Sequence, residues 1–145
     1  MDNMSCEKKM KHLEMIEGII ERMGSNSFKL KGWAVTLVSV IGALSAQGSD
    51  KRFFLISFIP LLSFWLLDSY YLQLERKYKI LYKNVLEKEE DKIDFNMNLQ
   101  SIVCSDQDTL SIHYCKCLFS KSEILFYGVI AASILFLAIK FKAFV

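Results

Sequence analysis

The sequence has little that would break a helix, because one proline and six glycines occur in 145 residues. That scarcity does not suit a collagen-like or disordered low-complexity chain, both of which are rich in these residues. A strong excess of one charge is also absent, since 18 lysines and arginines face 16 acidic residues. The resulting net charge of +2 is too small to predict nucleic-acid binding through bulk electrostatics. The composition therefore points to a helical chain of another class.

Sequence motifs of enzymes are missing as well. The chain has no glycine-rich phosphate loop, no HExxH pattern and no nucleophile motif. His12 and His113 lie far from any pair of carboxylates at useful spacing. His113, Cys115 and Cys117 are metal-ligand residue types, but they lack the paired CxxC spacing of a structural zinc site. We therefore predict that the chain is not an enzyme and holds no metal or other cofactor.

The sequence does contain three long apolar runs, at residues 29–47, 53–72 and 124–141. Hydrophobic residues make up 52% of the chain, and lysines, arginines and aromatic residues bound the runs. Helices anchored at a bilayer interface have this pattern, and each run approaches the roughly 20 residues that cross a bilayer. The charged first 28 residues do not resemble a cleavable signal peptide. The pattern predicts an all-α integral membrane protein.

We expect four segments along the chain. They are an N-terminal cytoplasmic amphipathic helix (1–28), a transmembrane hairpin (29–72), a cytoplasmic helical stalk with a re-entry segment (73–121) and a C-terminal transmembrane helix (122–145).

The distribution of charge predicts the topology. Fourteen of the 18 lysines and arginines lie in residues 1–31 and 73–123. The positive-inside rule places these two segments in the cytoplasm and the C-terminus outside the bacterial inner membrane. All four cysteines fall in the cytoplasmic segments, so disulfides are not expected.

Two apolar stripes predict a helical contact below the membrane. The first stripe, in the N-terminal helix, consists of Leu13, Ile16 and Ile20 at helical spacing. Its polar face is too acidic to favour anionic lipid, so we expect it to pack on the protein itself. Gly24-Ser25-Asn26-Ser27 is expected to end this helix. The second stripe lies where the second apolar run continues into water, and its residues are Tyr71, Leu74, Tyr78 and Leu81.

Small and weakly polar residues follow one face of the first and third runs. They are Gly32, Thr36, Ser39 and Ala43 in the first run, and Gly128 and Ala132 in the third. Such faces let helices approach closely and predict packing seams. The alternative is the wall of a narrow pore, where the same hydroxyls would meet water or ions. In the second run, Pro60 is expected to bend the helix and act as its hinge.

Asp68 is an ionisable residue at the end of an apolar run, where such groups are costly and are paired or functional. A hairpin turn at residues 48–50 brings Asp68 to the depth of Lys31. One interpretation is an interfacial ion pair between these two side chains. The other is a ring of Asp68 carboxylates that selects ions in a homo-oligomer.

Two stretches of sequence carry a resemblance to a known family. The run from Glu21 to Leu37, ERMGSNSFKLKGWAVTL, and the run from Phe64 to Arg76, FWLLDSYYLQLER, resemble small bacterial membrane effectors of nucleotide-signalled anti-phage systems. These SLATT-like proteins combine an N-terminal helix, a two-span hairpin and a long helix. The likeness covers roughly residues 10–85, and the chain departs from the family in lacking an appended nucleotide-sensing domain.

The resemblance implies a homo-oligomeric pore-forming or membrane-disrupting effector that is gated from the cytoplasm. The expected partners are the lipid bilayer and further copies of the chain, with a tetramer as the working assembly. The trigger would be a nucleotide second messenger bound across subunits, or a signalling protein encoded nearby. The alternative is a non-conducting membrane anchor or scaffold that recruits a soluble enzyme.

Overall fold

A computed structural model describes residues 2–46, 53–102 and 106–140, and within these ranges the chain is all-helical. Two long helices and a shorter one dominate: α1 (Asp2–Ala46), α3 (Phe58–Glu87) and α6 (Lys121–Lys140). Short helices occur between them: α2 (Phe53–Ile56), α4 (Asp106–Ser111) and α5 (Tyr114–Leu118), with 3₁₀ turns at Glu90–Lys92 and Leu99–Ser101. The predicted hairpin turn at 48–50 lies outside the described residues.

The N-terminal helix and the first apolar run form one helix, which corrects the predicted break at residues 24–27. α1 continues through this segment without interruption. Glycine costs about 1 kcal/mol relative to alanine in a helix, and a packing partner along the helix can override that preference. Such a partner is present, because α1 packs beside α3 on both sides of the segment. The side chain of Lys31 also donates to the Ser27 hydroxyl at 3.0 Å.

α1 and α3 run antiparallel, and two apolar clusters hold them together. At one end Ile16 packs with Leu81 and Val85, and at the other Ala34 packs with Leu61. α6 joins the second cluster through Tyr127 and Ile134. The molecule is therefore a helical pair over its whole length, with a third helix against one half. We call the half around Ile16, Leu81 and Val85, where two helices pack, the stalk half. We call the half around Ala34, Leu61 and Tyr127, where three helices pack, the apolar half.

The second apolar run is divided, and the division lies before Pro60 rather than at a bend around it. α2 ends at Ile56 and α3 begins at Phe58, while Ser57 between them keeps helical backbone angles (φ −60°, ψ −21°). A proline ring clashes with the carbonyl four residues earlier, which here is that of Ile56. Pro60 has no N–H to donate to the Ile56 carbonyl, so the helical hydrogen bonding is interrupted at this point. The role of Pro60 as a hinge stays a prediction.

Residues 88–120 return the chain from the end of α3 to the start of α6. Ile93, Met97, Leu99 and Ile102 cover the apolar cluster of the stalk half. Farther on, the Gln73 amide donates to the Ile112 carbonyl, and the Arg76 guanidinium donates to the Ser111 carbonyl, both at 2.8 Å. The re-entry segment is therefore bound along α3.

In the part of the chain that the structure describes, two helices, α1 and α6, are long and apolar enough to cross a membrane. The second predicted span does not meet this description as a single helix. The interruption at Ser57 separates Phe53–Ile56 from α3, and the apolar part of α3 ends at Leu72, after which charged residues follow. That apolar part is shorter than the roughly 20 residues that a continuous span requires.

Candidate functional site

The most unusual site is a buried group of charged side chains in which three helices meet. The ammonium of Lys31 in α1 donates to Oδ2 of Asp68 in α3. The same ammonium donates to Oε1 of Glu123 in α6 at 3.0 Å. One lysine therefore bridges two carboxylates from two other helices. We call Lys31, Asp68, Glu123 and the tyrosine described next the ion cluster.

Tyr127 completes the ion cluster one turn farther along α6. Its hydroxyl donates to Oδ2 of Asp68 at 3.0 Å, so that this oxygen accepts two hydrogen bonds. Asp68, Glu123 and Tyr127 are at most 2% exposed, whereas the side chain of Lys31 is 19% exposed. Breaking a buried ion pair by removing one partner costs about 3–5 kcal/mol, because the other charge stays buried and unpaired. The arrangement can fix how the three helices meet.

Aromatic side chains pack around the ion cluster and leave only Lys31 partly exposed to solvent. The Trp65 ring stacks on Tyr127 at 6.1 Å between centroids, and Phe126 meets Tyr127 edge-on at 5.1 Å. The Lys31 ammonium lies 5.8 Å from the centre of the Phe126 ring, within the range of a cation–π contact. These rings lower the local dielectric, which strengthens every charge interaction in the site.

The position of Glu123 depends on the short helix that precedes α6. The indole of Trp65 donates to the Leu118 carbonyl at 3.1 Å, at the end of α5. The hydroxyl of Tyr114, at the start of α5, donates to the Leu66 carbonyl at 2.9 Å. Both bonds hold α5 against α3, three residues before α6 begins. They set where α6 starts and bring Glu123 within reach of Lys31.

The structure brings Lys31 and Asp68 together, as the interfacial-pair interpretation expects. Sequence reasoning missed Glu123 and Tyr127. A signal for Glu123 was present, because it is an acidic residue at the edge of an apolar run, which is the same feature that singled out Asp68. The depth of α6 relative to the hairpin was not readable, since the path of residues 88–120 had no pattern that predicts it.

The predicted small-residue faces are exposed at the surface of a single copy, and Ser39 and Ala43 also line a cleft between α1 and α6. Gly32, Thr36, Ser39 and Ala43 are exposed on α1, and Gly128 and Ala132 are exposed on α6. A methyl group built on Gly32 or Gly128 would meet no other atom within 4 Å. The Thr36 hydroxyl donates to the Gly32 carbonyl of its own helix at 2.9 Å. Gly32 and Gly128 therefore make no close helix contact within one copy of the chain.

The two predicted stripes of the stalk half meet. Leu13, Ile16 and Ile20 of α1 share one apolar cluster with Tyr78 and Leu81 of α3. Of the remaining predicted contacts, Tyr71 and Leu74 are half-buried and lie outside this cluster.

The part of the chain that the structure describes contains no group of three or more metal-ligand side chains placed to hold an ion.

The chain matches no protein-family model, no curated protein and no solved structure.

Proposed function

We propose that the chain is a three-span membrane protein that assembles with copies of itself and forms a pore opened from its cytoplasmic stalk. The ion cluster is the observation that carries this proposal. It joins α1, α3 and α6 at one level, and two of these helices continue without interruption into the stalk half. A displacement of the stalk would therefore act directly on the contact that holds the three helices together.

The surface of the apolar half supports a membrane environment. Large apolar side chains are exposed on all three helices there, for example Leu44 on α1, Ile59 on α3 and Leu125 on α6, each above 60%. Soluble monomers rarely expose a continuous apolar surface of this kind. In lipid, a helical protein is expected to bury its charged side chains inside and to expose apolar side chains outside, as this half does.

The divided second run is proposed as the third span. Ser57, between α2 and α3, has helical backbone angles and is 1% exposed, so the interruption in the hydrogen bonding is enclosed by protein rather than presented to lipid. An unmade backbone hydrogen bond at membrane depth is tolerated under that condition. α2 and the first part of α3 contact α6 and α1 in the apolar half, which is consistent with their crossing the same layer.

The exposed small-residue faces are the proposed contacts between copies. Self-association should then depend on Ala43 and Gly128 while the single chain folds without them. We expect Ala43→Leu and Gly128→Leu to dissociate the oligomer in mild detergent, measured by light scattering on a sizing column. Leu37→Phe, which adds bulk to an exposed position of α1 outside this face, should leave the mass unchanged. Equal masses for all variants would remove the small faces from the contact.

The pore itself is tested by current. Purified full-length protein in planar bilayers should give discrete currents, and Lys31→Met should raise the fraction of time that the pore is open. Lys79→Met, which breaks an exposed pair with Glu75 within α3, is the matched control. No current from the native protein or from Lys31→Met would favour the second candidate, a non-conducting anchor for a soluble partner.

The anti-phage role comes from the resemblance alone and is tested in cells. Bacteria that express the chain should lose membrane potential after phage infection and should release fewer phage than cells without it. A matched strain carrying Gly128→Leu should lose this protection if the assembled form acts. Protection that is unchanged in a variant shown to be monomeric would contradict an oligomeric effector.

The proposed orientation has the N-terminus and the stalk in the cytoplasm, and Cys115 can report on it. Cys115 is exposed, whereas Cys117 is buried, and burial raises the pKa of the Cys117 thiol. An impermeant thiol reagent should leave Cys115 unlabelled in intact spheroplasts and label it after lysis. Labelling of Cys115 in intact cells would reverse the orientation. Cys117 should stay unreactive in both states because of its burial, and it serves as the control for folding.

A further inference from the structure

The charges of the ion cluster do not balance. Lys31 contributes one positive charge, while Asp68 and Glu123 together contribute two negative charges when both are ionised. Among the described residues no second lysine or arginine forms an ion pair with either carboxylate. Both carboxylates are nearly inaccessible to water. An uncompensated charge in such a place costs several kcal/mol, so the site favours one additional positive charge.

The geometry indicates that this positive charge is a proton. The carboxyl groups of Asp68 and Glu123 both accept from the same Lys31 ammonium, so their negative charges lie side by side. Each also has one buried oxygen without a partner, Oδ1 in Asp68 and Oε2 in Glu123. Two ionised carboxylates cannot bond to each other, because neither has a hydrogen to donate. One proton on either side supplies the missing donor and removes the excess charge at the same time.

The other contacts decide which carboxyl group holds the proton. Oδ2 of Asp68 accepts from both Lys31 and Tyr127, and hydrogen bonds to a carboxylate favour its charged form. Glu123 accepts only from Lys31, through Oε1. We infer that the ion cluster is a proton-binding site in which Glu123 is a neutral acid and Asp68 carries the charge. This inference deepens the proposed function, since separating the helices in water would release the proton, but its test requires no current.

Infrared spectroscopy of the full-length protein in detergent tests the inference. A protonated carboxylic acid has a C=O stretch that an ionised carboxylate lacks, and this band shifts in D₂O. At neutral pH the native protein should show one such band. Glu123→Gln should abolish it. Asp68→Asn should abolish it too, because Lys31 and Glu123 then form a balanced pair. Lys31→Gln should strengthen it, since both carboxyls then favour the neutral form.

Glu75→Gln is the matched control, because Glu75 is paired with Lys79 on the stalk and is not part of the ion cluster. It should leave the band unchanged. Absence of the band in the native protein, or its persistence in Glu123→Gln, would overturn the inference. A missing band together with sodium-dependent stability would assign the site to a monovalent cation instead. If Asp68→Asn does not fold, alkaline titration decides. The native band should decline as the pH rises above neutral, and Glu123→Gln, which mimics the neutral acid, should show no band at neutral or alkaline pH.

Discussion

In the stalk half, apolar side chains such as Ile16, Leu81 and Val85 face inward and charged side chains face water. In the apolar half this arrangement is reversed, because the charged residues Lys31, Asp68 and Glu123 meet inside and leucines and isoleucines cover the outside. The same two helices, α1 and α3, form both halves.

The comparison shows that one helical pair can be held together by two different forces. In water, burial of apolar area stabilises the contact by about 25 cal/mol per Å². Lipid is as apolar as a leucine side chain, so that force largely disappears between helices in a bilayer. Polar contacts and close packing then have to specify how the helices meet. Substitutions should therefore affect the apolar half mainly through charge and the stalk half mainly through side-chain volume.

The largest effect is expected when the bridging charge is removed from the apolar half. Lys31→Met leaves Asp68 and Glu123 buried without their cation, which should cost about 3–5 kcal/mol. Thermal unfolding in detergent, followed by circular dichroism, measures the loss. Lys79→Met removes an exposed pair at i, i+4 spacing and should cost about 0.3–0.5 kcal/mol. Similar losses for both variants would show that the ion cluster does not hold the apolar half.

A somewhat smaller effect is expected from removing volume in the stalk half. Ile16 is fully buried between the two helices, and Ile16→Ala should cost about 2–4 kcal/mol through lost burial and a residual cavity. Met15→Ala, at the exposed neighbouring position, should change stability by less than about 0.5 kcal/mol. The unfolding transition of the same samples gives both values. An Ile16→Ala variant as stable as Met15→Ala would mean that the stalk half is not packed as described.

These two regions also differ in how far the sequence predicts them. The stripes at Ile16 and Leu81 follow helical spacing, and the depth of Lys31 against Asp68 follows from a hairpin turn near residue 49. The stripes are a repeat along one helix, and the depth match is a symmetry between two neighbouring helices joined by a turn. Features of both kinds can be recognised in a single sequence. Glu123 was missed because its depth depends on residues 88–120, a path of short helices, 3₁₀ turns and loops for which no such regularity exists.

The segments at residues 24–27 and at Pro60 show how local composition and packing combine. Residues 24–27 have the composition of a loop, yet α3 lies alongside and supplies enough contact to keep α1 helical. At Pro60 the sequence predicts a disturbance, and the helical hydrogen bonding is interrupted between Ile56 and Phe58, where the proline ring meets the Ile56 carbonyl. Local composition thus indicates a tendency, and packing against a neighbour decides whether the helix ends.

His12 allows a test by pH in the stalk half. The His12 ring is fully buried, its centre lies 5.3 Å from that of the Phe95 ring, and among the described residues neither ring nitrogen makes a hydrogen bond. Burial lowers the pKa of His12 below its ordinary value of 6.5, and Lys88 acts in the same direction, while Asp94 and the backbone of Asn96 oppose them. The native protein therefore takes up the proton less readily than the unfolded chain.

The expected result is a loss of stability as the pH falls below about 6.5, because protonation then favours the unfolded chain. His12→Leu should remove this pH dependence and stabilise the protein at neutral pH by about 1–3 kcal/mol, the cost of an unsatisfied buried polar group. Unfolding midpoints on either side of the ordinary histidine pKa provide the measurement. His113→Gln, at an exposed position, is the control and should keep the native pH profile. A His12→Leu variant with the same acid sensitivity as the native protein would assign that sensitivity to other groups.

The smallest effect is expected at Gly24, where the two halves join within α1. A methyl group there would meet no atom within 4 Å, and the same holds at Gly18 within the stalk half. Each alanine substitution should therefore stabilise the continuous helix by about 0.5–1 kcal/mol, because glycine loses more backbone freedom on folding. If opening requires α1 to bend between the halves, Gly24→Ala should also reduce the current while Gly18→Ala leaves it unchanged. A Gly24→Ala variant less stable than the native protein would mean that α1 is not continuous there, and that the two halves are separate helices.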